Sequence, residues 1–348
     1  MKWEENISLQ QYNSFGIDVP ARYFARFHSF EALQELLDSE RAENSIARFE
    51  KLILGGGSNI LFTKRFDGLV LKNEISGIKI IREDEQHIYV HAGGGENWHG
   101  FVQQCINKNW AGVENLSLIP GSVGASPIQN IGAYGVELRD VFFSLEALHI
   151  KENKLVSFSL NDCEFGYRDS IFKKKYKDQF VITGVIFRLN KEPVFKIAYG
   201  DIIQQLDKAG VKQLTLKALS DAIIDIRRLK LPDPLELGNA GSFFKNPQVS
   251  EGVYRKLKDV HPDLVGYPLE NGNVKLAAGW LIEHCGPTDG TSWKGYRKGA
   301  VGCHDRQSLV LVNYGGATGE EIYALSEVII HSVKEKFGVV LEREVNII

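Results

Sequence analysis

The stretch that most limits what this chain can fold into is Leu118–Gly135, LIPGSVGASPIQNIGAYG. Its eighteen residues hold four glycines, two prolines and no charged side chain. Long loops without secondary structure inside compact domains are usually functional. An uncharged one, rich in backbone donors, reads as a bed for a large, partly apolar cofactor, although a plain buried connection would have the same composition. A second glycine run points the same way. The short apolar strand Lys51–Leu54 empties into Gly55-Gly56-Gly57-Ser58-Asn59, which is how a loop presents N–H groups to a phosphate. No Gly-Lys-Ser/Thr follows it and the Gly-x-Gly-x-x-Gly spacing is absent, so it is neither a P-loop nor a dinucleotide fingerprint.

A third run, Gly238–Pro247 (GNAGSFFKNP), delivers a single serine, Ser242, followed by two aromatics and Lys245. It lacks the Gly-x-Ser-x-Gly elbow of the hydrolases, and no histidine lies close by in sequence. A serine without a base suits a proton donor or a ligand hydroxyl better than a nucleophile; an ordinary glycine-rich turn is the plainer reading.

Composition narrows the class. The chain has 348 residues, 43% hydrophobic and 24% charged, with a net charge of -3. That is a soluble globular composition, long enough for two or three domains, with no electrostatic case for a nucleic-acid partner. The basic run Lys173–Lys177 reads as a solvated turn, and the polar N-terminal Met1–Gln11 does not read as an export signal. No apolar run approaches the roughly 18 residues of a membrane span. Cys105, Cys163, Cys285 and Cys303 show no metal-ligand spacing and are expected to be free, buried thiols. The glycosylation-type triplets at Asn6 and Asn115 carry no weight in this setting.

Periodicity supplies the elements. A helix capped by Ser29 has Ala32, Leu33, Leu36 and Leu37 at helical spacing, and another over 97–108 aligns Trp98, Phe101, Val102 and Cys105. Strands are expected at Leu69–Lys72, Ile78–Arg82 and His87–Ala92, and 144–189 is strand-rich. Helices follow at Ile202–Lys208 and Ser220–Leu229, the latter stopped by Lys230-Leu231-Pro232-Asp233-Pro234, a domain boundary. Val274–Cys285 and Glu320–Phe337 read as amphipathic helices. The second has Ile322, Leu325, Val328, Ile329 and Val333 on one side and a Thr318/Glu321 capping box. After a strand at Leu309–Val312, the chain ends in a strand, Val339–Ile347, whose alternation puts Glu342 and Glu344 on the face of Val340; that face is either solvent-exposed or functional.

Seven of these segments, in this order, resemble one family, the UDP-N-acetylenolpyruvoylglucosamine reductases. They are Gly55–Asn59, Ile119–Gly135, Tyr167–Lys173, Lys230–Pro234, Gly238–Pro247, Lys275–Ile282 and His304–Gln307, and the match extends from Tyr12–Gly16 to Glu344-Val345. The resemblance implies an α+β (mixed α/β) fold: a flavin-binding fold of the vanillyl-alcohol oxidase type in two subdomains, 1–72 and 73–215, a C-terminal α/β substrate domain, 216–338, and a terminal strand, 339–348. It implies non-covalent FAD held by Gly55, Gly56, Gly57, Ser58, Asn59, Ile60, Gly121, Ser122, Val123, Gly124, Ala125, Gln129, Asn130, Gly132, Ala133, Tyr134 and Arg227. NADPH reduces the flavin and leaves, and the enolpyruvyl nucleotide sugar takes its place.

By the same resemblance Arg168 and Glu344 attend the carboxylate end of the enolate that forms and Ser242 donates the proton to carbon. Tyr199, Lys230, Asn246, Lys275 and Gln307 hold the nucleotide diphosphate, with Tyr267 on a loop that folds over the substrate. The roles are physically sensible. A guanidinium stabilises growing carboxylate charge, a high-pKa hydroxyl can protonate a strongly basic carbanion in contact with it, and burial of Glu344 would raise its pKa as its role requires. A cytoplasmic monomer serving peptidoglycan synthesis, with no metal, is implied. One departure is visible: the resemblance puts arginine two residues after the glutamate, near the flavin, where this chain has Asn346. The rival readings are an FAD oxidase of the same flavin fold acting on an alcohol or sugar, and a nucleotide-sugar binding module without activity. Neither Gly55–Asn59 nor Gly121–Tyr134 contains a His or Cys to tether a flavin.

Overall fold

A computed structural model describes residues 3–42 and 49–348. Met1 and Lys2 of the polar N-terminal stretch, and 43–48 of the first expected subdomain, lie outside the described residues. The chain divides into two compact units, one of 1–7, 20–57 and 66–227 and the other of 8–19, 58–65 and 228–348.

The first unit contains two large sheets and a two-stranded one, Gly132–Ala133 with Val136–Glu137. In one, Pro20–Phe27 and Lys51–Leu54 both run parallel to the central Phe66–Asn73, and Glu4–Ser8 forms the far edge. Parallel neighbours need a crossover, which α1 (Phe30–Ala42) supplies. Its first turn is closed by Ser29 Oγ accepting from the Ala32 amide at 3.1 Å. Leu33, Leu36 and Leu37 are buried with Ala25, Phe27, Leu71, Leu148 and Val181.

The second sheet has the order Lys154–Ser159, Phe142–His149, Phe180–Asn190, His87–Gly93, Ile78–Glu83 and is antiparallel throughout. Helix α2 (Trp98–Asn107) covers it; the expected face Trp98, Phe101, Val102 and Cys105 is fully buried, and Asn97 caps it through Gly100 N at 2.9 Å. Helices α3 (Ile202–Lys208) and α4 (Leu216–Lys230) pack on each other through Ile202, Leu219, Ile223 and Ile226. Helix α4 begins four residues before the expected start, because Thr215 Oγ1 accepts from Ala218 N and serves as its cap.

The second unit has a sheet of Gly238–Ser242, Val310–Asn313, Val301–Cys303 and Arg297–Lys298, and a smaller one of Gln248–Ser250, Asn273–Leu276 and Gly266–Pro268. Helix α5 (Glu251–Val260) follows the Gln248–Ser250 strand. Where a single helix over Val274–Cys285 was expected, the chain makes the strand Asn273–Leu276, a break at Ala277, and the short α6 (Ala278–Glu283). The apolar run has a period close to 3.6, but its first three residues, Val274–Leu276, lie in a central strand flanked by one strand on each side. Helix α7 (Gly319–Phe337) has the expected capping box, with Glu321 N on Thr318 Oγ1 at 3.2 Å and Thr318 N on Glu321 Oε2 at 2.8 Å. Ile322, Leu325, Ile329 and Val333 are buried, but Val328 is 50% exposed and lies off that face.

The terminal segment is also less regular than a strand over Val339–Ile347. Only Asn346–Ile347 is paired, parallel to Ile60–Leu61, while Arg343 makes a lone bridge with Phe244. Its alternation still holds: Val339, Leu341 and Val345 are buried, Val340 and Glu342 exposed. All four cysteines are free and buried, and burial pushes the Cys163 and Cys303 thiols up to about 12. Among the described residues no helix is long and apolar enough to cross a membrane.

Candidate active site

In the first unit the two glycine beds lie against each other. A side chain on Gly56 would stand 2.7 Å from the Cα of Gly121, and one on Gly55 would collide with the Ser122 hydroxyl. Only glycine permits so close an approach. The amides of Val123, Gly124 and Ala125 are already engaged, by Glu96 O (2.9 Å), Gly94 O (2.8 Å) and Ser122 O (3.1 Å). These three residues therefore shape the bed and do not offer those N–H groups to a ligand. The Ser122 Oγ, buried in the bed, has no hydrogen-bond partner among the described residues.

Further along the same loop, Asn130 is fully buried with φ +44°. Its Nδ2 donates to Glu137 Oε2 (2.9 Å) and to Gly166 O (3.0 Å), and its Oδ1 accepts from Arg139 N. It thereby ties the loop to the turn that carries Arg168. That turn is tight: Gly166 and Asp169 exchange backbone hydrogen bonds at 3.0 and 3.3 Å, and Arg168 lies at φ +53°. A non-glycine residue there costs on the order of 1–3 kcal/mol and marks a position held by its surroundings. Arg168 Nη2 donates to Gly132 O at 2.6 Å, so the guanidinium is anchored on the loop itself.

Arg227, on α4, is the second cation of the group. Burial lowers its pKa, Tyr134 raises it, and the charge of Arg168 lowers it again. Its Nε is buried with no hydrogen-bond partner among the described residues. Two guanidiniums that feel each other, one with an orphaned donor, fit an anion-bearing group. Together with the glycine contact and the Ser122 hydroxyl, this arrangement fits a phosphate-bearing flavin. Tyr134 and Tyr199 meet edge to face at 6.4 Å, and Tyr199 is half exposed. Sequence reading missed Asn115, whose Nδ2 donates to Tyr134 O (2.9 Å) and Lys196 O (2.8 Å). Its Asn-x-Ser context drew attention to modification instead of burial.

In the second unit Ser242 ends its strand at a bulge. Asn239 pairs with Val312 and Ser242 with Val310, so this strand spends one more residue than its partner, and Gly241 takes it up at φ +68°. The buried Asn239 fixes the bulge by accepting Gly241 N (2.9 Å) and donating to Leu237 O (2.8 Å). The side chain of Ser242 is left exposed while Phe243 and Phe244 turn into the core. Glu344 N then donates to Phe243 O at 2.8 Å, which brings Ser242 and Glu344 to one stretch of paired backbone. Glu342 forms an ion pair with Lys245, and Arg343 reaches α7 through Ser326 Oγ (2.8 Å) and Glu327. Asn59 Nδ2 donates to Glu344 O at 3.2 Å.

Of the residues expected around the nucleotide, Lys230, Asn246, Tyr267, Lys275 and Gln307 belong to this unit, and Tyr199 to the first. Tyr267 and Lys275 are direct cross-strand partners, with the ammonium 6.0 Å from the ring centroid. Asn246 Oδ1 accepts Ala278 N at 2.9 Å, and a side chain on Gly279 would stand 2.9 Å from Gln307 Oε1. Lys230, at the end of α4, is exposed; the preceding Leu229 O accepts from Arg306 Nη1 at 3.3 Å, next to Gln307.

Comparison with known proteins defines the class first. Residues 21–159 match the FAD binding domain family, so the chain is a flavoprotein, with the mixed helix-and-strand fold described above. Residues 233–348 match the UDP-N-acetylenolpyruvoylglucosamine reductase C-terminal domain. The chain is 51% identical over 348 residues to the UDP-N-acetylenolpyruvoylglucosamine reductase of Amoebophilus asiaticus, covering 100% of both chains. It is 47% identical to that of Pseudomonas putida, covering 100% of this chain and 99% of the other. The crystal structure of the Thermus caldophilus enzyme superimposes with a TM-score of 0.66 at 21% identity, over 100% of this chain and 99% of that one, a likeness of fold. The chain belongs to the UDP-N-acetylenolpyruvoylglucosamine reductase family.

Proposed function

We propose that this chain reduces the enolpyruvyl group of UDP-N-acetylenolpyruvoylglucosamine at the expense of NADPH, giving UDP-N-acetylmuramate, with Ser242, Arg168 and Glu344 as its catalytic residues. FAD, when bound and reduced by NADPH, would supply the hydride. In this reading Gly55–Ile60, the 121–134 loop and Arg227 hold the cofactor, and Tyr199, Lys230, Asn246, Tyr267, Lys275 and Gln307 hold the substrate. Residues 1–72 and 73–215 form the flavin subdomains, 216–338 the substrate domain and 339–348 its catalytic tail.

The substrate must be protonated at a carbon that carries charge shared with a neighbouring carboxylate. Arg168, anchored on Gly132 O, holds that carboxylate and meets the growing charge without having to reorganise. The Ser242 hydroxyl, exposed at its bulge, gives its proton to carbon. Glu344 shares the carboxylate end, and requires a proton to do so. The observation that carries this reading is the Glu344–Phe243 backbone bond, which supports a concerted role for residues far apart in sequence. The reaction serves peptidoglycan synthesis and through it cell shape and division; we place the protein in the cytoplasm as a monomer.

The test is a spectrum of the purified protein, followed by NADPH with and without the enolpyruvyl nucleotide. Bleaching by NADPH and recolouring on addition of the nucleotide is expected. Recolouring by air at the same rate would instead indicate an oxidase.

A further inference from the structure

We propose that Asn346 is a positioning residue for this reaction, acting on Glu344 through Asn59. The inference rests on the role given to Glu344 above. Asn59 O accepts twice from Asn346, from its backbone amide at 3.1 Å and from Nδ2 at 2.9 Å. Asn59 in turn donates from Nδ2 to Glu344 O at 3.2 Å. The three residues close a ring in which one side chain clamps each direction of the pairing. Beyond the ring, Ile348 N donates to Leu61 O (2.9 Å), and Thr63 N (2.7 Å) and Oγ1 (2.8 Å) both donate to Ile348 O.

The ring matters because regular pairing fails where Glu344 lies. Arg343 makes only an isolated bridge, and the paired strand resumes at Asn346. On one side Glu344 is held by its amide on Phe243 O, next to Ser242. Its carbonyl is held on the other side by the Asn59 side-chain amide, and the backbone that carries that amide is held at the Asn59 carbonyl by Asn346. Removing the Asn346 side chain leaves the backbone bond at 3.1 Å but halves the hold on the Asn59 carbonyl, so the segment that carries the Asn59 amide group can shift. Misplacement by about 1 Å can cost on the order of a hundredfold in rate.

The experiment compares Asn346→Ala and Asn346→Ser with the parent, each as the full chain with bound FAD. Hydrogen exchange is read over 57–63 and 342–348, and the two half-reactions are followed separately by flavin absorbance. We expect exchange in both segments to quicken about fivefold in Asn346→Ala, with α7 unchanged. Bleaching by NADPH should stay within about twofold, recolouring by the nucleotide should slow about tenfold or more, and Asn346→Ser, which keeps a donor, should recover part of both losses. Unchanged exchange in Asn346→Ala overturns the inference, as does equal slowing of the two half-reactions. Should the parent fail to recolour with the nucleotide, the proposed function falls, and exchange alone then decides whether Asn346 holds Glu344.

Discussion

The usefulness of Ser242 comes from its placement by Gly241 and Asn239. Ser242→Ala is expected to leave bleaching by NADPH intact and to slow recolouring by about 10²–10⁴; equal slowing of both steps, followed by stopped-flow absorbance, would refute its role as proton donor. Gly132→Ala tests Arg168 without touching it. The added methyl would stand 3.1 Å from Arg168 Nη1 and 3.0 Å from Val136 O, so the guanidinium must shift; a loss of about tenfold or more in the nucleotide half-reaction is expected. A third residue concerns stability. Burial pushes the Glu114 carboxyl up, against opposition from backbone donors such as Gly112 N at 2.6 Å. The folded state then binds the proton more tightly than the unfolded state, so Glu114 erodes stability as pH rises from about 4.3 through its raised value. Glu114→Gln keeps an acceptor for Gly112, so its melting temperature should gain on the parent between pH 4 and pH 7. Parallel curves would contradict the shift.

At the scale of elements, local chemistry carried most of what the sequence revealed. Ser29 and the Thr318/Glu321 box sit where the caps were expected, because capping is settled within one turn. Thr318→Ala should therefore cost about 1 kcal/mol in urea unfolding. Elements whose identity depends on distant partners were harder to read. Asn273–Leu276 became a strand because two other strands flank it, and Val339–Ile347 lost regular pairing because its neighbours are a bulged strand and a two-residue strand. The site was legible in the same graded way. The glycine beds and Ser242 announced themselves by composition, but nothing in the residues alone joined Ser242 to Arg168 or Glu344; the family resemblance did. The positive φ of Arg168, the clamp by Asn130 and the work of Asn115 are tertiary facts without a sequence signal.

For the whole molecule, each unit closes around its own core. One gathers Trp98, Phe101, Leu145, Val185 and Phe187; the other gathers Phe243, Phe244, Leu281, Leu311 and Ile329. Because FAD binds the folded chain, a concentration one hundred times its dissociation constant should add about 2.7 kcal/mol to unfolding. A melting temperature that does not move with added FAD would deny tight binding by the folded protein.

The second unit draws Phe15, Ile17 and Leu61 from early in the chain into a core otherwise made after residue 228. On a ribosome those three side chains emerge long before the surfaces that will receive them. They must wait, apolar and uncovered, until the residues after 228 that receive them have been made, and a fragment starting at residue 233 would lack them and have three holes in its interior.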